Sequence, residues 1–363
     1  MLNKVDDKLH TIKFPKQLLW LVILVLFFQI NNLHSQPVKV GTTAASFLEI
    51  GVGSAGLGMG GAYAAIAEDV SALYWNSARI AYLDNIEAMF MYQPWIAGIN
   101  FNYVGVVLPV EDVGVFGVSI TTLSSGDIEE TTMLYQEGTG VMFDASDLAI
   151  QLTYARKVTD FFSFGFSGKY ISQRISTMNA SALAIDLGVY VVTPFFERED
   201  SDIDGLQIGM SISNYGGKMK LEGDDSFIAV DPEPENGGNN EQIPADYRMG
   251  EYNLPVTFRI GLAYDLFKND THRLTLASDA VHPNNFAEYV NVGAQYQLSL
   301  WDSFRMDLRG GYKTLFVTDN TQGLTLGVGL LVDVTATKFK FDYAFNQMND
   351  LGNTNNFTIS LIF

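Results

Sequence analysis

The last seven residues, Phe357 to Phe363, set an apolar side chain on every second position, with polar Thr358 and Ser360 between them and Asn356 just before. A strand repeats its side-chain direction every two residues, so this run has one apolar face and one wet face. The same period recurs upstream. Leu254 to Leu266 carries a large apolar side chain at every even position and Pro, Thr, Arg, Gly, Ala or Asp at the odd ones. Phe339, Phe341, Tyr343 and Phe345 alternate with Lys338, Lys340, Asp342, Ala344 and Asn346. Phe304, Met306 and Leu308 alternate with Arg305, Asp307 and Arg309, and Phe162, Phe164, Phe166 and Tyr170 follow the same rule. Residues 86–363 are therefore predicted to be a succession of strands separated by turns and loops.

The N-terminus carries a different signal. Lys4, Lys8, Lys13 and Lys16 precede an apolar run from Leu18 to Phe28, and Asn31 to Gln36 follows it. That run is shorter than the roughly 20 residues a spanning helix needs, and the order of charge, apolar run and polar segment is that of an export signal. Cleavage is expected near Ser35, with an uncleaved N-terminal anchor as the alternative. Removing residues 1–35 takes out four lysines and two aspartates, so a chain with a formal charge of −19 becomes more acidic still. This balance argues against a nucleic-acid partner, which wants a basic face. The chain has no cysteine, which excludes disulfides, thiolate metal sites and cysteine nucleophiles.

No other segment is long and apolar enough for a spanning helix, so a mature chain in a membrane must cross it as a closed barrel. A β-sandwich would show the same period, but its strands average five or six residues and those here run to ten or more. Charges on the small-residue face point to a polar interior with the apolar face toward lipid. The predicted segments are 86–93, 99–110, 112–123, 146–158, 161–176, 181–195, 205–215, 254–267, 271–282, 286–299, 303–314, 322–334, 337–348 and 354–363. Their number is fourteen, even as bacterial barrels require. If Phe363 lies on the periplasmic side, the two longest connections, 124–145 and 216–253, fall outside and most inner turns are short. Pro94, Pro109, Pro194, Pro255 and Pro283 sit at strand ends, where a missing ladder donor does little harm. The expected fold is all-β: a fourteen-stranded antiparallel transmembrane β-barrel. Its closing strand, with Phe357 and terminal Phe363, resembles the signal read by the barrel-insertion machinery of the bacterial outer membrane.

Residues 41–84 lack the period of two. Gly51, Gly53 and Gly56 match the spacing G-x-G-x-x-G, but no strand precedes them and no βαβ unit surrounds them, so a dinucleotide site is not expected. Their small residues suit a tightly packed plug inside the lumen. Ala62–Ala67 suggests a short helix, and Asp69 or Ser71 is placed to cap a second turn through Trp75. The expected domain order is a signal peptide at 1–35, a hatch at 36–85 and the barrel at 86–363.

The run Ser46-Phe-Leu-Glu-Ile-Gly-Val-Gly53, followed by Gly58-Met-Gly-Gly-Ala-Tyr-Ala-Ala-Ile-Ala-Glu-Asp-Val-Ser-Ala-Leu-Tyr-Trp-Asn76, resembles the N-terminal signature of the PorV/PorQ family. That family belongs to a wider superfamily of FadL-like barrels, which are fourteen-stranded with an N-terminal hatch. The family usually continues Asn-Pro-Ala-Gly-Leu, whereas this chain has Asn76-Ser77-Ala78-Arg79-Ile80. Losing Pro and Gly leaves the turn less fixed, and Arg79 adds a charge. The resemblance implies work in type IX protein secretion, as a cargo shuttle or a component of the surface attachment complex. Secretion-system proteins or secreted cargo would be the partners, besides outer-membrane lipid. The alternative it implies is a FadL-like channel for long-chain fatty acids or other hydrophobic small molecules. The hatch or gating candidates are Gly58, Gly60, Asp69, Trp75, Asn76 and Arg79. A channel would need a continuous apolar pocket beside Phe47, Leu48 and Ile50, and a secretion barrel would need none.

Catalytic chemistry has little support. His272 and His282 lie on one predicted strand, ten residues apart at about 3.3 Å per residue, too far to share a metal. His272 near Thr275 or Ser278 is the only local candidate for a hydroxyl–imidazole pair, and no motif marks it. No cofactor, metal or catalytic site is expected. The acidic stretch 216–253, including Asp224, Asp225, Asp231, Glu233 and Glu235, lacks EF-hand spacing and reads as a solvated loop or a surface where a partner protein docks. Aromatics near strand ends, such as Tyr92, Trp95, Trp301 and Tyr312, fit interfacial girdles.

Overall fold

The computed structural model describes residues 40–363, apart from 199–204, 233–234, 236, 238–241, 302, 318–321, 336 and 350–351. The signal segment 1–35 and Glu233 therefore lie outside the described residues. Seven strands come first: β1 (Glu87–Pro94), β2 (Asn100–Val110), β3 (Gly114–Glu129), β4 (Met142–Thr159), β5 (Phe162–Ile175), β6 (Met178–Val192) and β7 (Gln207–Gly216). A small pair follows, β8 (Phe227–Val230) and β9 (Ile243–Asp246). Then come β10 (Thr257–Lys268), β11 (His272–Pro283), β12 (Tyr289–Trp301), β13 (Phe304–Leu315), β14 (Leu324–Val334), β15 (Thr337–Gln347) and β16 (Asn353–Ile362). All but β8 and β9 form one closed antiparallel barrel of fourteen strands in sequence order. Closure runs from Glu87↔Ile362 to Tyr92↔Phe357 between β1 and β16. β7 pairs with β10 across the long connection, with Gly209 opposite Gly261.

Alternation decides which face points where. On β16, Phe357 and Ile359 are exposed on the outer wall, and Thr358 and Ser360 are buried in the lumen. On β15, Phe341 points outward while Lys340 and Asp342 are buried. The apolar belt is therefore external and the charges are internal, as required when hydrocarbon surrounds the wall. Among the described residues no helix is long and apolar enough to cross a membrane. One sector departs from the polar-interior rule: Met89, Met91, Phe101, Tyr103 and Val107 of β1 and β2 point inward and pack on the plug.

The two ends of the barrel differ. One carries the turns 111–113, 160–161 and 269–271 together with Phe363, whose amide donates to the Ile86 carbonyl. The other carries 130–141 and the long excursion 217–256. These are called the turn end and the loop end. The expected loop 124–145 is shorter than its sequence suggested, because β3 and β4 climb past the apolar belt and stay paired to Glu129↔Met142, with a register shift between Ser124 and Asp127. Above the belt both faces are wet, so polar Ser124, Ser125 and Asp127 hide the strand from a period-two search. The excursion after β7 likewise contains structure: β8 pairs with β9, and Met219 bridges Tyr252.

Residues 46–82 fold as short helical turns inside the lumen: Ser46–Glu49, Ser54–Gly58, Ala72–Trp75 and Ser77–Tyr82. Ala62–Ala67, expected as a helix, instead makes a single turn. Its first amides are claimed by the wall: Tyr63 and Ala64 N–H both donate to Asp279 Oδ2, at 3.1 and 3.0 Å. The helix that does form, Ser54–Gly58, is glycine-rich, and packing rather than helix propensity holds it.

Candidate functional site

The hatch and the wall meet through glycine. The Cβ of an alanine at Gly58 would sit 2.9 Å from the Cα of Gly327 on β14. Gly60 has φ +68°, a conformation that favours glycine, and lies against the backbone of Tyr312. On the opposite side Gly165, Gly188 and Gly209 leave room for Ser77, Asn76 and Ala64. The hatch thus reaches from β14 across to β5, β6 and β7. Gly51 and Gly56 make room for the Trp75 ring, since a Cβ on Gly56 would lie 2.6 Å from Trp75 Nε1, while Gly53, at φ +81°, lies against Ser71. That nitrogen donates to the Val52 carbonyl at 2.7 Å.

Short helical turns leave many backbone groups without intrahelical partners, and wall side chains supply them. Gln151 Nε2 donates to the Leu73 carbonyl, Ser211 Oγ to that of Trp75, and Thr325 Oγ1 to that of Gly58. Thr358 Oγ1 accepts from the Ser54 amide at 3.0 Å and lies 2.9 Å from Ser54 Oγ.

Ion pairs complete the seat. Lys340 Nζ lies 2.8 Å from Asp69 Oδ2 and 3.5 Å from Asp342 Oδ2. Arg309 bridges Asp307 at 2.8 Å and Asp342 at 2.6 Å. Arg273 joins Asp265 to Glu68 of the hatch. Asp69 also accepts from the Ser71 amide at 2.9 Å, the capping contact expected at the turn into Trp75. Burial raises the Asp69 pKa, but Lys340 and the Ser71 hydrogen bonds outweigh it and hold the carboxyl at about 2.

The six hatch candidates are all buried but do not converge on one point. Gly58 and Gly60 face β12 to β14, and Asp69 faces β15. Trp75 lies under Arg259, whose Cζ is 4.8 Å from its ring. Asn76 Nδ2 donates to the Ala64 and Val189 carbonyls. Arg79 is accommodated rather than disruptive: Asn76 Oδ1 accepts from the Ala78 amide, and Arg79 Nε donates to the Ala67 carbonyl. The arrangement is a lock spread over many strands. Its wall partners were visible in sequence as charges on alternate positions, but not their pairings.

The space between Phe47, Leu48 and Ile50 is nearly filled, about 10 Å³, enough for one water, and a separate cavity of about 200 Å³ lies on the other side of Ile50, lined also by Glu49, Leu57, Gln93, Trp95 and Lys313. Phe47 and Leu48 pack on Ala149, Ile171, Met219 and Leu254. At the turn end a charged vestibule of about 640 Å³ opens beneath the hatch.

The other candidates separate widely. His272 bonds the Tyr296 hydroxyl through Nδ1 at 2.7 Å, while Thr275 points into the lumen and donates to Asp265, so Thr275 does not pair with the imidazole. His282 contacts Glu288. Asp224 and Asp225 start a short turn before β8, and Asp225 is tied to Thr177 of the β5–β6 connection. Asp231 is half-buried and Glu235 exposed. Among the described residues no three acidic or histidine side chains are grouped to hold a metal ion. Phe357 packs its ring on Tyr343 on the outer wall.

A closed barrel with an apolar outer belt, a charged lumen and a packed hatch is an outer-membrane transport barrel. Solved structures agree on the fold. The Pseudomonas putida toluene transporter TodX aligns with TM-score 0.54 at 11% identity, covering 86% of this chain and 98% of that one. The Ralstonia pickettii toluene transporter TbuX aligns with TM-score 0.52 at 12% identity, covering 86% and 97%. The CymD monoaromatic hydrocarbon channel gives TM-score 0.50 at 12% identity, again covering 86% and 97%. At such identities the likeness is one of fold. No curated protein matches the chain. Residues 33–282 match the family described as Type IX secretion system protein PorV, and the chain belongs to that family.

Proposed function

We propose that this protein is a type IX secretion barrel that holds other proteins at its loop end while its hatch stays fixed, as a cargo shuttle or attachment-complex component. The observation that carries this reading is that no continuous apolar pocket runs along Phe47, Leu48 and Ile50: the space at Phe47 and Leu48 is filled, and the cavity of about 200 Å³ on the other side of Ile50 is lined by Glu49, Gln93, Lys313 and Asn346 as well as apolar groups. The loop end, by contrast, offers apolar surface to water. Met133 and Leu134 are 95% and 89% exposed, with Tyr135, Phe227 and Tyr247 also exposed. Exposed apolar groups rimmed by acidic side chains mark protein-binding surfaces. In this reading the loop end faces outward.

Residues 43 and 44 already sit at the loop end, where Ala44 N–H donates to the Asn253 carbonyl. A chain still anchored in the inner membrane by residues 18–28 could not reach that place without crossing the barrel. This placement supports cleavage near Ser35 as part of the proposal, and the intact mass of the purified protein checks it.

The docking reading is tested by replacing residues 221–250 with Gly-Ser. The Met219–Tyr252 bridge is kept, so the barrel closes as before. Pull-downs should lose secreted or secretion-system proteins while heat-modifiable mobility on gels stays normal. Unchanged protein partners would sink the reading.

The second reading is a channel for hydrophobic small molecules. It is favoured by an apolar hollow of about 760 Å³ on the outer wall, lined by Leu262, Tyr264, Leu276, Ala294 and Gly310 among others. Behind that sector Met59 and Gly60 lie against Gly293 and Gly311, so a lateral path would require the hatch to move.

A further inference from the structure

We propose that the vestibule at the turn end binds a monocarboxylate, gripped by the guanidinium of Arg79. Five cationic side chains are buried among the described residues: Arg79, Lys169, Arg259, Arg309 and Lys340. Four have a carboxylate within ion-pair distance. Lys169 lies 2.7 Å from Asp186, Arg259 3.8 Å from Asp279, and Arg309 and Lys340 share Asp342. Arg79 is 5% exposed and has no such partner among the described residues. Its Nε is taken by the Ala67 carbonyl at 3.1 Å. Its Cζ lies 4.2 Å from the Tyr190 ring centroid and 5.2 Å from that of Tyr82. Its terminal nitrogens meet no acceptor among the described residues, and the side chain lines the vestibule.

The Arg79 charge also acts on Glu68, but no carboxylate touches the guanidinium, and a ligand that supplies one in direct contact offsets part of the cost of burying it. The planar fork matches a carboxylate in a bidentate contact, and the tyrosine rings hold the fork in place. Glu68, Asp69, Asp84, Glu87 and Asp160 line the same cavity together with Lys268, Arg273, Arg305, Lys338 and Lys340, so the lining is of mixed charge and a single carboxylate adds little to it. Leu83, Phe161, Val192 and Leu331 give the ligand an apolar surface. A volume of about 640 Å³ fits one small aromatic acid or the last residues of a polypeptide. Both present the same chemistry, a carboxylate beside an apolar group. This site is independent of docking at the loop end.

The test uses the whole barrel in detergent and 4-fluorobenzoate as probe, read by fluorine NMR titration. Competitors are the dipeptide Ala-Phe with a free carboxylate and the same dipeptide as its amide. The wild type should bind the probe saturably, and Arg79→Gln should bind about tenfold to a hundredfold more weakly, the effect of losing two charge-assisted hydrogen bonds. Should Arg79→Gln fail to fold, Arg79→Lys keeps the charge, loses the fork and should still bind severalfold more weakly. Competition by the free dipeptide but not its amide assigns a chain terminus. Competition by neither assigns a free acid. Equal competition by both forms overturns the proposal, because the carboxylate is then not what is read. No saturable binding to the wild type, or equal binding to a folded Arg79 variant, overturns it as well.

Discussion

Asp69→Asn is expected to loosen the hatch while leaving the barrel wall intact. Asp69 is the hatch's contact with Lys340, and both side chains are about 5% exposed. Removing one partner of a buried pair strands the other, at a cost of about 3 kcal/mol or more. Here Asp342 at 3.5 Å still faces Lys340, which places the effect at the lower end. At about 1.4 kcal/mol per decade, local opening of Val70–Trp75 should rise by about two orders of magnitude in hydrogen exchange. Strand amides such as those of β14 and β15 should exchange as before. Lys340→Met added to Asp69→Asn should recover part of the loss, because no unpaired ammonium then remains buried. Unchanged exchange in the hatch would mean that the glycine contacts alone hold it. The same pair sets a pH dependence. The Asp69 carboxyl is held at about 2, below its ordinary value near 3.8, so its stabilisation is present above about pH 4 and fades as pH falls through 2. Between pH 5 and 8 the lock should not titrate through Asp69.

Gly311→Val should displace the hatch outright, and Gly310→Val should do almost nothing. The residues are neighbours on β13, and the chemical change is identical. Gly311 faces the lumen, where a Cβ would collide with the backbone of Met59 and Gly60. Gly310 faces outward, and the nearest atom to its Cβ would be Leu326 Cδ2 at 3.9 Å. Backbone cannot swing aside as a side chain does, so the inner substitution should cost about 3 kcal/mol or more, at the upper end for overpacking. In planar bilayers Gly311→Val should leak ions, whereas Gly310→Val should be as quiet as the wild type. Two quiet variants would show that the hatch does not seal the lumen at this point.

The barrel was legible because lipid leaves so little choice. Most strands crossing the belt alternate apolar with polar or small residues, β1 and β2 being apolar on both faces, and the segments so read match the fourteen strands apart from the extensions of β3 and β4. Legibility failed where the belt ends. Ser124–Glu129 and Met142–Ser146 are paired strands with two wet faces, so they looked like loop. β8 and β9 escaped because each is four residues long and a Pro- and Glu-rich run separates them. Within the hatch, Ala62–Ala67 has helix-forming composition, yet it makes a single turn, closed by the Ala67 N–H to the Tyr63 carbonyl and held to the wall by Asp279, more than two hundred positions away, which accepts from the amides of Tyr63 and Ala64. Local propensity cannot anticipate such a partner. The triple Gly51, Gly53, Gly56 has the spacing of a phosphate motif, but Gly51 and Gly56 are clearance for the Trp75 ring and Gly53 for Ser71. Charges at Lys340, Asp342, Arg305 and Arg309 were legible as lumen residues. Which of them meets Asp69 depends on where the hatch lies, and that is set by glycines on the wall.

The central claim is that the hatch is a fixed part of the wall and that function resides on the loop end. A cysteine-free chain permits a clean test, because Ser54 Oγ and Thr358 Oγ1 lie only 2.9 Å apart. In the variant Ser54→Cys with Thr358→Cys, oxidation ties the hatch to β16 and reduction frees it. Secretion of cargo to the cell surface should be the same with the lock closed as with it open. Loss of secretion on oxidation, restored by reduction, would contradict the claim and show that the hatch must move.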